Sequence, residues 1–155
     1  MTTMDSRTGG CQCGRIRYQL HGDARMLYAC HCTDCQKQSS SAFGMSLIID
    51  PNQIEFVQGD DRLRVWETRG GNGDLKRCAF CPDCGSRIYH DGGGYLSVKG
   101  GSLDETSDLH PVAHIWLRSA QPWVYIDPEQ FLCFEQEPEN DTGLERLWRE
   151  RQDNS

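Results

Sequence analysis

Eight of the nine cysteines fall in three tight groups: Cys11 and Cys13; Cys30, Cys32 and Cys35; and Cys78, Cys81 and Cys84. Cys133 stands apart. Thiolates one to three residues apart can aim at a single point about 2.3 Å from each sulfur, the separation that tetrahedral zinc requires, and two such groups must converge to close a structural site. The run Cys81-Pro82-Asp83-Cys84-Gly85 is a knuckle: proline shapes a tight turn, and glycine after the second cysteine lets backbone N–H groups point at sulfur. A redox Cys-x-x-Cys would want a strand-to-helix setting, which the surrounding β pattern does not offer.

The pair Cys11 and Cys13 carries little information alone, because a Cys-x-Cys on a strand puts both side chains on one face with or without a metal. Joined to Cys81 and Cys84 it gives a closed four-thiolate zinc site that ties the N-terminal strand to a distant segment and leaves no coordination position free. The middle group, Cys30-His31-Cys32-Thr33-Asp34-Cys35, offers three thiolates and no obvious fourth ligand nearby. Three protein ligands with a vacancy is the pattern of a catalytic zinc. A closed site completed by Cys78, His31 or an aspartate is the competing reading. His31 is the weakest of these, since its two neighbours must point toward the metal and it toward the other side. Cys78, three residues before Cys81, is the real competitor.

Short alternating segments must position these groups: 15–20, 53–57, 62–66, 95–98 and 112–117 read as half-buried strands, separated by glycine-rich breaks such as 70–74 and 91–94. The expected fold is mainly β, built from antiparallel sheets. One or two helical turns are expected around Asp34 to Ser40. A C-terminal helix follows Asn140-Asp141-Thr142, with Leu144, Leu147 and Trp148 on one face and Glu145 four residues before Arg149. The acidic stretch 135–141 reads as a linker, so the division is a zinc domain over 9–134 and a linker with helical tail over 135–155, the tail docking loosely or on a partner.

The chain has 155 residues, 37% of them apolar, which is lean for one self-sufficient core and consistent with metal clips. A formal charge of -7 argues against nucleic acid and anionic membranes. The polar first ten residues carry no signal-peptide pattern, and no apolar run approaches a membrane span, so a soluble, cytoplasmic protein is expected. In a reducing cytosol clustered cysteines are metal ligands rather than disulfides.

Gly10-Cys11-Gln12-Cys13-Gly14-Arg15-Ile16-Arg17-Tyr18, Cys30-His31-Cys32-Thr33-Asp34-Cys35-Gln36-Lys37, Ser39-Ser40-Ser41-Ala42-Phe43 and Phe80-Cys81-Pro82-Asp83-Cys84-Gly85-Ser86, in that order, resemble the glutathione-dependent formaldehyde-activating enzyme family, which includes the centromere protein V-like proteins. Gly101-Ser102-Leu103-Asp104, His114-Ile115-Trp116 and Pro122-Trp123 extend the resemblance over roughly residues 9 to 128. It implies a zinc-stapled β-tent fold and two zincs per chain: a structural one on Cys11, Cys13, Cys81 and Cys84, and a catalytic one on Cys30, Cys32 and Cys35. The implied chemistry is that of a carbon–sulfur lyase joining or releasing a small thiol, such as glutathione, and a small aldehyde, such as formaldehyde. Ser39 and Ser41 are candidate substrate contacts and proton donors. The alternative is a non-catalytic zinc module that captures a thiol, a peptide or a protein partner.

Two positions depart from the family pattern. Ser40 replaces a common glycine, and Cys78 is extra. Among the remaining side chains, Cys133, Trp116 and Trp123 are expected in the core, His114 as a hydrogen-bonded core or cleft-edge residue, and His90 at the cleft.

Overall fold

The computed structural model describes residues 6–70 and 73–154. It is mainly β, with strands β1 (Ser6–Gly10), β2 (Arg17–His21), β3 (Met26–Cys30), β4 (Gly44–Ile49), β5 (Ile54–Gln58), β6 (Arg64–Arg69), β7 (Leu75–Phe80), β8 (Arg87–Asp91), β9 (Leu96–Lys99), β10 (Ala113–Ile115) and β11 (Leu132–Cys133). Two helices complete it, α1 (Thr33–Ser39) and α2 (Thr142–Asp153). A three-stranded sheet runs β1-β2-β5, and an eight-stranded sheet runs β11-β10-β3-β4-β9-β8-β7-β6.

Every pairing is antiparallel except at one margin, where β10 lies parallel to both β3 and β11. The expected antiparallel sheets are thus present, with the large one mixed at this margin. Parallel neighbours need a crossover of a dozen or more residues, and the long connections before and after β10 supply it. The sequence reading also passed over β3 and β4, which carry the second cysteine group into place. Both are buried on nearly every residue, so they read as apolar runs rather than as alternation.

Leu27, Leu47, Ile49, Ile88, Val98 and Val112 are fully buried and form the centre of the core. The C-terminal helix belongs to this core instead of docking loosely. Leu144 and Trp148 are buried, α2 packs on β3, and the Trp148 indole N–H donates to the Ala24 carbonyl at 3.0 Å. Burying two such side chains contributes several kcal/mol, on the order of 1.5–3 kcal/mol each. At its start the Asn140 side-chain oxygen accepts from the Thr142 N–H at 3.1 Å.

Four expectations of burial are not met in full. Trp123 is 74% exposed, on a loop outside the sheets, and Trp116 is only partly buried, in a left-handed backbone conformation at φ 59°. Cys133 is exposed, because β11 is a two-residue edge strand with one face unpacked. The β6 edge is likewise exposed rather than half-buried, with Val65 and Trp66 about half open. No helix among the described residues is long and apolar enough to cross a membrane.

Candidate metal centres and the clefts between them

Cys11 and Cys13 sit on the tip of the β1–β2 hairpin, and Cys81 and Cys84 on the tip of the β7–β8 hairpin. The two tips are built alike. In each, the first cysteine's N–H donates to the carbonyl five residues on, Cys11 to Ile16 at 3.1 Å and Cys81 to Ser86 at 2.9 Å. In each, a glycine then donates back to the first cysteine's carbonyl, Gly14 at 3.1 Å and Gly85 at 2.7 Å, with φ of 81° and 80° respectively. That conformation is open to glycine and strained for other residues. The Cys-x-Cys pair is therefore a turn rather than a strand.

The four sulfurs all lie within 4.8 Å of one another. Cys11 and Cys13 are 3.5 Å apart, and Cys13 and Cys81 are 3.8 Å apart. A tetrahedron with sulfurs about 2.3 Å from its centre has edges of about 3.8 Å, so the spacing and the soft donors fit zinc. Second-layer contacts already face the sulfurs: the Ile16 N–H donates to Cys11 Sγ at 3.3 Å, and the Ser86 hydroxyl lies 3.3 Å from Cys84 Sγ. Burial raises the Cys84 thiol, but the Ser86 hydroxyl and N–H outweigh it and leave it at about 6. The Ser86 hydroxyl also accepts from the Gln12 N–H at 2.9 Å, coupling the two hairpins.

The second group assembles where β3 runs into α1. Cys30 ends β3, Cys32 caps α1, and Cys35 lies one turn into it. Their sulfurs also lie within 4.8 Å of one another, and no fourth His, Cys, Asp or Glu among the described residues joins them. As the cap, Cys32 accepts the Cys35 N–H on sulfur at 3.3 Å. Hydrogen bonds from the Cys30 and Cys35 thiols, then the N–H groups of Cys35 and Asp34, hold the Cys32 thiol far below its ordinary range, while Cys30 is pushed up by the same sharing and by burial. A cluster that stabilises a thiolate in this way fits a soft metal ion.

Both competitors for a fourth position lie elsewhere. Cys78 is buried on β7, opposite His90 on β8, and belongs to neither group. His31 turns away from the sulfurs: it is fully buried, 2.8 Å from His114 Nδ1 through its Nε2, and packed against Phe43. His114 is thus a hydrogen-bonded core residue. Burial and the neighbouring His31 push it down to about 4.

Two clefts meet at the second group. One, of about 840 Å³, exposes Cys30, Cys32 and Cys35 beside Tyr28, Lys76 and Tyr95. The other, of about 800 Å³, runs between the two cysteine groups past Arg17, Gln38, Ser41, Phe43 and Arg87. Cys35, His90 and Lys99 line both. Burial lowers the Lys99 ammonium, and the thiols of Cys35, Cys78 and Cys30 partly restore it. Burial, then Lys99, Lys76 and Arg87, pushes His90 down to about 2, so the imidazole is neutral. The sequence places His90 at the cleft but does not single out Lys99, whose burial beside sulfur is visible only in the fold.

Ser39 and Ser41 both line the second cleft, with different duties. The Ser39 hydroxyl is committed to backbone, donating to the Cys35 carbonyl at 2.8 Å and the Phe43 carbonyl at 2.9 Å. Ser41 is exposed to the cleft. Between them Ser40 ends α1 at φ 51°, the left-handed region that a glycine enters freely and that costs a serine about 1 kcal/mol.

The model of the family described as glutathione-dependent formaldehyde-activating enzyme matches residues 6–119. Among solved structures, the chain resembles a Rhodobacter sphaeroides protein, a structural-genomics target, at 17% identity, covering 67% of this chain and 91% of that one with a TM-score of 0.49.

Proposed function

The chain belongs to the glutathione-dependent formaldehyde-activating enzyme family, and from that premise we propose that it is a cytoplasmic zinc-dependent carbon–sulfur lyase acting on thiol–aldehyde adducts, of the S-(hydroxymethyl)glutathione synthase type. The observation that carries this reading is the inequality of the two cysteine groups: four sulfurs converge at the hairpin tips, and three at the mouth of two clefts. In this reading Cys11, Cys13, Cys81 and Cys84 hold a structural zinc, and Cys30, Cys32 and Cys35 a catalytic one.

A zinc ion on those three sulfurs would lower the pKa of a thiol bound at its free position. The chain's own residues supply the rest. Lys99, buried beside Cys30 and Cys35, balances the negative charge of the thiolates. The clefts hold thiol and aldehyde together, which turns a bimolecular addition into an effectively unimolecular one. The thiolate sulfur attacks the carbonyl carbon, the carbon–oxygen π pair moves to oxygen, and a proton returns to that oxygen. Ser41 is placed to donate it with solvent as its source, whereas Ser39, tied to two carbonyls, positions the loop.

The adduct forms spontaneously, so the test is a rate. Exchange between formaldehyde and S-hydroxymethylglutathione, followed by NMR, is expected to accelerate over buffer with the zinc-loaded protein and to return to the buffer rate with Cys32→Ser. No acceleration by the wild-type protein would refute the lyase and leave the module that only captures a thiol or partner.

A further inference from the structure

The eight-stranded sheet ends in two unlike edges. At one end no strand lies beyond β6 among the described residues, and five of its six residues are exposed, so both faces and the free edge meet solvent. Val65 and Trp66, which alternate onto opposite faces, are 48% and 51% exposed. An uncovered edge strand with apolar side chains is a template for another chain. Its charge runs against that of the molecule: β6 and β7 carry Arg64, Arg69, Lys76 and Arg77 against one acid, Glu67, in a chain of net charge -7. Arg77 takes up Glu67 at 3.0 Å, whereas Arg64 and Arg69 make no ion pair among the described residues.

At the other end, beside β11, a groove of about 620 Å³ runs between the segment after that strand and α2. Leu132, Phe134, Pro138, Leu144 and Leu147 give it an apolar floor. Three exposed carboxylates, Glu137, Glu139 and Glu150, rim it against one cation, Arg146, and none of the three is ion-paired among the described residues. The groove thus borders a second free edge, acidic where the first is basic.

We propose that this acidic groove receives the basic β6 edge of a second copy of the chain, with Trp66 as its anchor. Period two puts Arg64, Trp66 and Thr68 on one face of β6. An indole flanked by a guanidinium matches an apolar floor with a carboxylate rim, and Trp and Arg are the side chains that most often dominate interfaces. One chain cannot fill its own groove, because seven spacings of about 4.8 Å, roughly 34 Å in all, separate the two edges across the sheet. The contact joins two different surfaces, so copies add head to tail into a ring or an open string.

Sedimentation velocity of the zinc-loaded protein tests this. At low ionic strength the mean mass is expected to rise with concentration beyond that of two chains, and to fall in about 1 M sodium chloride, where charges are screened beyond about 3 Å. Trp66→Glu disables the β6 edge, and Glu139→Lys with Glu150→Lys disables the groove; each is expected to weaken association by about tenfold or more while keeping a native thermal transition. Mixed in equal amounts, the two variants retain one working groove and one working edge between them, so they should form a 1:1 dimer and grow no further. The synthetic peptide of residues 62–69 reads the groove separately: its tryptophan fluorescence should shift with the wild-type protein's Trp66→Glu variant and not with the groove variant. A wild-type protein that stays a single chain at every concentration would overturn the proposal. So would association that survives the groove variant and is lost only with Trp66, as in a symmetric pairing of two β6 edges, or a mixture that yields no dimer.

Discussion

The Gln36 side-chain amide donates to the His31 carbonyl at 2.9 Å, pinning the residue that separates Cys30 from Cys32. The Ser119 hydroxyl donates to the same carbonyl at 3.1 Å, and the His31 N–H donates to the Ile115 carbonyl at 3.0 Å. The direction of two sulfurs is thus set by hydrogen bonds from α1 and from the segment after β10. Gln36→Leu deletes one of them at similar volume. Outer-shell partners of metal ligands are commonly worth ~10–100-fold in affinity. Chelator competition should show the second zinc weakened about tenfold with the first unchanged; equal retention of both would show that Gln36 does not position the ligands.

Cys78 is the residue on which an open second site depended, and it lies buried on β7 opposite His90, outside the group of three sulfurs. Cys78→Ala should leave two zincs per chain by mass spectrometry under native conditions. Its cost is a small cavity, about 1 kcal/mol, or a few degrees in melting temperature. A variant that retains one zinc would make Cys78 a ligand after all.

Much of this was legible in the sequence because knuckles are local. Cysteine spacing, proline and the following glycine specify the tip that carries Cys81 and Cys84 wherever it stands in a fold, whereas Cys11 and Cys13 read as a strand and gained their meaning from that pairing and from the resemblance to a family. What was not legible was mostly long-range. Strands β3 and β4 hid as apolar runs because both faces are covered; the parallel placement of β10 depends on a crossover; and Cys133 and Trp123 followed average burial preferences that an edge strand and an exposed loop do not share.

Asp104 links the small sheet to the cleft, accepting from Arg17 and from the Thr8 hydroxyl at 2.6 Å. The hydrogen bond from Arg17, then that from Thr8, holds its carboxyl down to about 2, below its unfolded value. A depressed acid stabilises the fold fully above the ordinary carboxylate pKa, about 4, and loses that contribution as pH falls toward 2. Arg17→Ala should therefore raise the Asp104 pKa toward 4 in a carboxyl-carbon NMR titration and move acid unfolding to higher pH. Both side chains are partly open to solvent, so the effect at neutral pH is small. An unmoved Asp104 titration would assign the depression to Thr8 instead.

The two cysteine groups should fail differently. Cys11, Cys13, Cys81 and Cys84 bring a hairpin of the three-stranded sheet and one of the eight-stranded sheet together, and a zinc held by all four would cross-link them. A structural zinc in such a place contributes on the order of 10 kcal/mol of binding free energy to folding, comparable to the whole stability of a domain this size. Cys81→Ser should abolish cooperative folding, seen as loss of the thermal transition by circular dichroism and of amide dispersion by NMR. Cys32 sits at the cap of α1, where Ser is itself a good N-cap, and the surrounding β3, β4 and β10 are held by core packing. Cys32→Ser should keep the native transition within a few degrees while losing one zinc. Chelation of the wild-type protein distinguishes the sites in the same way: release of zinc from Cys30, Cys32 and Cys35 should leave the spectrum native, and its release from Cys11, Cys13, Cys81 and Cys84 should unfold the chain. Simultaneous unfolding on loss of either metal would make both groups structural, and the division of labour between four sulfurs and three would fall with it.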